Sequence, residues 1–197
     1  MSSERREYFR VEDKVALDYR IVSGAEVDTL RKKIMTNTAG RFTTASDFDT
    51  ISHQIGHAMH TVKAETPEVA RVLDALDKKL NTLAQMMVSE EIKLDDYVAR
   101  EANVSAGGIA FRSEHEIQAG DLLETRIVLL PAMIGILTIS RVVYCERVED
   151  ENRKLPWQVA INHEVFRESD RELMVRHVMG KETERLRKRR HLVSDIN

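Results

Sequence analysis

Apolar and polar positions alternate imperfectly through Val11-Glu-Asp-Lys-Val-Ala-Leu-Asp-Tyr-Arg-Ile-Val, which predicts a first strand from about Lys14 to Val22, ended by Ser23-Gly24. From Ala25 to about Asp95 the period changes to three and four. Val27, Leu30 and Ile34 mark a short amphipathic helix, and Asn37 to Thr44, with Gly40, is a connection. A second helix is predicted from about Ser46 to Ala64, with Phe48, Ile51, Ile55, Ala58 and Val62 on one side. Thr66-Pro67-Glu68 then places a capping residue before a proline at the first helical position. In the third helix, from Pro67 to about Glu91, residues Val69, Leu73, Leu76, Leu80, Leu83 and Met87 fall at strict four-three spacing. That seam suits a coiled coil, and Val72 and Met86 widen it as a bundle of more than two helices needs. The expectation is an intramolecular helical hairpin whose remaining apolar face drives self-association.

Past Asn103-Val104-Ser105-Ala106-Gly107-Gly108 the period returns to two. Ile109 to Arg112, Leu122 to Leu130, Ile136 to Glu146 and Trp157 to Phe166 are predicted strands. Gln118-Ala-Gly-Asp forms a turn and Pro131 to Gly135 a bend. Short strands at this spacing predict an antiparallel barrel or sandwich. Ser169-Asp170 caps a final helix carrying Leu173, Val175, Val178 and Met179, and a basic tail with six Lys or Arg follows between residues 181 and 190. Its charge suits the C-terminal end of a helix dipole, with nucleic acid or anionic lipid as lesser alternatives.

Composition narrows the class. A chain of 197 residues fits one domain, or one domain with a large insertion. Its formal net charge of −3 argues against a general polyanion binder, so nucleic acid is not the expected partner. Cys145 is the one cysteine, which leaves no internal disulfide framework and suits a reducing cytosol. The N-terminus has no apolar signal segment, and the longest apolar run, Ile127 to Ile139, is too short to span a bilayer. A soluble cytoplasmic protein is the expectation.

Two motifs carry the candidate chemistry. Arg6 and Arg10 form Arg-x-x-x-Arg with Arg5 adjacent, just before the first strand. Asn103 and Ser105, two residues apart, offer donors and acceptors on one edge of an extended chain. Gly107 and Gly108 can take positive φ and carry no Cβ, so a ligand can approach the main chain there. His53, His57 and His60, with Asp49 one turn earlier, share a helix face, but no further ligand is placed beside them and no metal site is expected. Cys145 is expected as a small buried residue in a strand, and Trp157 as a core or rim residue with base stacking as the alternative. No glycine-rich phosphate loop, nucleophile elbow or zinc spacing is present, so neither an enzyme, catalytic residues nor a cofactor is expected.

The order of these features resembles the PilZ domain family, bacterial receptors for cyclic di-GMP. The likeness covers about residues 5–24 and 96–180, with 25–95 as a helical insertion and 181–197 as a basic helical tail. It implies an α+β fold, a six-stranded antiparallel β-barrel with the long helical insertion after the first strand and a C-terminal helix. The insertion is similar to that of members whose heptad helices assemble a homotetramer, here through Val69, Leu73, Leu76, Leu80, Leu83 and Met87. By resemblance, Arg6 and Arg10 grip guanine and phosphate, and Arg5 assists or sets how many ligands stack. Asn103, Ser105, Gly107 and Gly108 line the barrel side. The chemistry fits, because arginine can bond guanine O6 and N7 bidentately, stack on a base or pair with phosphate. The implied role is a cyclic di-GMP receptor or adaptor whose arginine loop is ordered by ligand and signals to an unidentified downstream protein. The alternative is an oligomeric scaffold whose barrel no longer binds nucleotide.

Overall fold

Alternation along β1 (Val11–Ile21) sends Val15 and Leu17 to one side and Ala16 to the other, and all three are buried. A strand covered on both faces needs two separate cores, and the chain builds both. The computed structural model describes residues 9–36, 40–96, 99–149 and 155–194. Its strands are β1, β2 (Ala99–Ser105), β3 (Gly108–Ser113), β4 (Leu122–Leu129), β5 (Ile134–Arg147) and β6 (Trp157–Val165). They pair antiparallel and close into a barrel in the order β1-β2-β3-β6-β5-β4. Closure leaves no open sheet edge.

The first core fills the barrel. Leu17, Val104, Phe111, Ile127, Ile136 and Ile161 meet there, and α4 (Glu168–Ser194) closes one side with Leu173, Met174 and Val178. The second core lies between the outer barrel wall and the insertion, where Ala16, Val128 and Leu137 pack against Leu30, Ile34 and Phe42. This is why Ile127, Val128 and Leu129 are all buried although they are consecutive. Successive side chains enter different cores.

The insertion runs between β1 and β2 as α1 (Gly24–Met35), a 3₁₀ turn (Gly40–Thr43), α2 (Thr44–Glu65) and α3 (Pro67–Asp96). The main chain of α1 starts at Ser23, whose N–H and hydroxyl both donate to the Glu26 carboxylate at 3.0 and 2.8 Å. Gly135 seats the 3₁₀ turn on β5, because a Cβ there would lie 2.1 Å from the Phe42 carbonyl oxygen. Thr66 alone joins α2 to α3, so the two form the expected hairpin, clasped by Ser52 donating to Asp77 at 2.5 Å. Ala84 and Val88 of α3 are buried in the second core, whereas Val69, Leu73, Leu76, Leu80 and Leu83 remain between 38% and 56% exposed. Met87 is half-buried. Within one chain the heptad seam is therefore largely uncovered.

Polar contacts fasten α4 to the start of α2. Arg167, 11% exposed, donates to both carboxylate oxygens of buried Asp170, to Asp47 at 2.8 Å and to Ser46 Oγ at 2.8 Å. Further along α4, Arg176 pairs with Asp49 at 2.6 Å.

Two expectations change. β2 was not expected as a strand. The C-terminal helix begins at Glu168 rather than after a Ser169-Asp170 cap, because the Asp170 carboxylate is committed to Arg167. The basic tail is the end of α4, which runs as far as Ser194. Among the described residues no helix is long and apolar enough to cross a membrane.

Candidate functional site

The pairing of β1 with β2 brings the two sequence motifs together. Arg10 is exposed and immediately precedes β1, and the first β1 residues pair as Val11 with Val104, Glu12 with Asn103, Asp13 with Ala102 and Lys14 with Glu101. Arg5 and Arg6 lie outside the described residues. Ala102 and Val104 point into the barrel, so Asn103 between them points outward. It is half-buried in a groove of about 500 Å³ on the outer wall, lined by Glu12, Lys14, Glu101, Arg112 and Gln158, with Ala110 beneath.

The other motif residues are used differently. Ser105 is 3% exposed, and its hydroxyl donates to the Gly108 carbonyl at 2.9 Å and accepts the Gly108 N–H at 3.2 Å. The Gly107 carbonyl accepts the His163 N–H at 2.9 Å. A Cβ on Gly108 would lie 2.1 Å from the Ile161 carbonyl oxygen, so the residue is small because β6 passes close by. Positive φ among the glycines occurs at Gly40 and Gly120. Asn103 thus presents its side chain on the outer wall, while Ser105, Gly107 and Gly108 shape the hairpin beside it.

Residues of the basic tail, whose position the sequence did not show, flank the same place. A second groove, of about 340 Å³, runs between the start of β1 and α4 and is lined by Glu12, Glu184 and four cations, Lys181, Arg185, Lys188 and Arg189. The basic tail therefore adds positive potential next to Arg10. Asp13 anchors it, accepting from His177 Nε2 at 2.6 Å and Lys181 Nζ at 2.7 Å. Burial opposes ionisation of Asp13, but those bonds outweigh it and hold the carboxyl below its ordinary range. On the other side of Arg10, Phe9 is 61% exposed and edges an apolar groove with Ala106, Val175 and Met179.

His53, His57 and His60 are exposed on α2, and Asp49, the carboxylate nearest them in sequence, is paired with Arg176. Among the described residues no group of three or more His, Cys, Asp or Glu is arranged to hold a metal ion. Cys145 is half-buried on β5 and accepts the Ile117 N–H at 3.5 Å. Trp157 opens β6 and packs against the barrel core.

Comparison with known proteins agrees with this architecture. The family model described as PilZ domain matches residues 79–180. A solved structure of a pathogenic protein from Xanthomonas campestris, described as a tetrameric PilZ domain self-assembled via an unusual helical bundle, is similar over 91% of each chain, with a TM-score of 0.54 and 11% identity. At that identity the likeness shows the fold. The Bacillus subtilis inhibitor of motility (MotI/DgrA) matches over 92% of this chain and 53% of its own, with 11% identity and a TM-score of 0.46. The chain thus spans about half of that structure. No curated protein matches the chain by sequence.

Proposed function

The chain belongs to the PilZ domain family, and from that premise we propose that it is a cyclic di-GMP receptor or adaptor. One observation carries the reading: the Arg-x-x-x-Arg segment runs directly into β1, whose first residues pair with the strand that holds Asn103. Arg10 and Asn103, far apart in sequence, thus lie at the same end of the β1–β2 pair. In this reading Arg5, Arg6 and Arg10 hold guanine and phosphate from the N-terminal side. Asn103 bonds the ligand from the wall, and Ser105, Gly107 and Gly108 keep the hairpin in the shape that presents it. Lys181, Arg185, Lys188 and Arg189 raise the local concentration of a dianion. The role is recognition, and no reaction is assigned to the site.

Ligand held at the start of β1 acts on α4 through Asp13, and α4 is fastened to α2 through Arg167 and Arg176. That route joins the nucleotide site to the helical insertion, and a downstream protein would read the resulting change. The exposed seam of α3 supports self-association, with a homotetramer as the expected assembly. Burying a leucine completely is worth about 1.5–3 kcal/mol, so five half-exposed apolar residues supply a substantial drive.

A second reading is supported by the internal use of Ser105 and Gly108. A hairpin that needs these residues keeps them whether or not nucleotide binds, which suits an oligomeric scaffold. Binding of cyclic di-GMP to the purified protein, measured beside Arg10→Ala and Asn103→Ala, separates the two. The receptor reading requires saturable binding that both variants weaken, whereas the scaffold reading requires none.

A further inference from the structure

We infer, resting on the receptor reading above, that Glu12 is the residue that distinguishes guanine from adenine in this groove. Glu12 lies directly opposite Asn103 in the β1–β2 ladder, and both line the outer groove. Directly opposed residues on antiparallel strands have Cβ atoms about 4.5–5.5 Å apart and project from the same face. The two side chains therefore meet one ligand edge together.

The chemistry of that pair is selective. The base-pairing edge of guanine presents two adjacent donors, N1–H and the N2 amine, beside the O6 acceptor. An ionised carboxylate is acceptor-only and can take both donors at once, and the Asn103 amide can donate to O6. Adenine offers an acceptor at N1 where guanine has a donor, so the same carboxylate would face a lone pair. The other acids of the groove are placed differently. Asp13 is committed to His177 and Lys181, and Glu101 stands opposite Lys14.

Charge gives a second, independent reason. A carboxylate repels phosphate, so the ligand part beside Glu12 is a base, and the phosphates turn toward Arg10 and the basic face of α4. Glu12 borders both grooves and so stands at the boundary between base and phosphate positions.

The test is calorimetric titration of cyclic di-GMP and cyclic di-AMP into the full-length protein, Glu12→Gln and Glu12→Asp. Glu12→Gln should weaken cyclic di-GMP binding about tenfold and narrow the preference over cyclic di-AMP. Glu12→Asp should recover part of the preference. Each variant should melt within a few degrees of the wild type, since residue 12 is exposed. Wild-type binding that is unaffected or tightened in Glu12→Gln, or lost equally for both dinucleotides, overturns the assignment to Glu12 alone. A wild type that binds no cyclic di-GMP overturns the receptor reading and this assignment with it.

Discussion

Nε2 of His177 lies 2.6 Å from Oδ2 of Asp13, joining the C-terminal helix to the first turn of barrel wall beyond Arg10. Lys181 holds the other carboxylate oxygen at 2.7 Å, so a single acid, its side chain only 5% exposed, fixes the helix against β1. Asp13→Asn keeps the shape and removes the charge. It should cost about 1–3 kcal/mol, the range for hydrogen bonds involving charged groups, read as a lower urea midpoint. The pH dependence follows from the lowered carboxyl pKa: Asp13 contributes stability above its unfolded value of 3.8, and that contribution fades as pH falls through the folded value below it. The variant should lack this component.

A second titration belongs to His163, on β6. Burial, with some repulsion from Arg171, pushes its imidazole down to about 3 from an ordinary 6.5. Its Nδ1 lies 3.0 Å from Ser140 Oγ. The unfolded chain takes up this proton near pH 6.5, while the folded protein resists until about 3, so stability should decline as pH falls across that window. His163→Gln should flatten the decline in urea midpoints measured from pH 7 to pH 4. A slope unchanged by the substitution would mean that other groups carry it.

Gly108 gives a prediction about cause. A Cβ 2.1 Å from the Ile161 carbonyl must push β3 and β6 apart, so Gly108→Ala should destabilise the barrel by about 1–3 kcal/mol, the usual range for overpacking. Thermal unfolding without any ligand measures it. Full stability in this variant would restore the idea that the glycine exists for the ligand.

The exposed α3 seam predicts an assembly. Leu76 and Leu83 are 50% and 56% exposed in the single chain, and Leu76→Asp with Leu83→Asp places charge on that face without touching either core. Light scattering should report a larger mass for the wild type than for the double variant, with β-barrel circular dichroism retained in both. Equal masses would remove the self-association proposal.

Much of this fold was legible because its signals are local. The four-three spacing of large side chains in α3 and the alternation in β4, β5 and β6 each announce an element within a dozen residues. β2 was not legible. Ala99, Arg100, Glu101 and Ala102 are good helix formers that follow directly on α3, and their strand exists because β1 and β3 pair on either side. Gly108 was noticed for the room it leaves a ligand, whereas the demand for a small residue that comes from Ile161 across the sheet had no local signal. Glu12 carried no signal in sequence. Only the register against Asn103 gives it a place in the groove. The basic residues from Lys181 to Arg189 were visible as a charged run, but their position beside β1 comes from the long-range clamp at Asp13.

The most direct test of the receptor account is calorimetric titration of cyclic di-GMP into the purified wild type, with Arg6→Ala run in parallel. The account predicts saturable heat in the wild type and binding weakened roughly ten- to a hundredfold in the variant, as loss of one bidentate arginine contact implies. No heat in the wild type would contradict the account, and wild-type affinity retained in Arg6→Ala would contradict the place it gives the ligand.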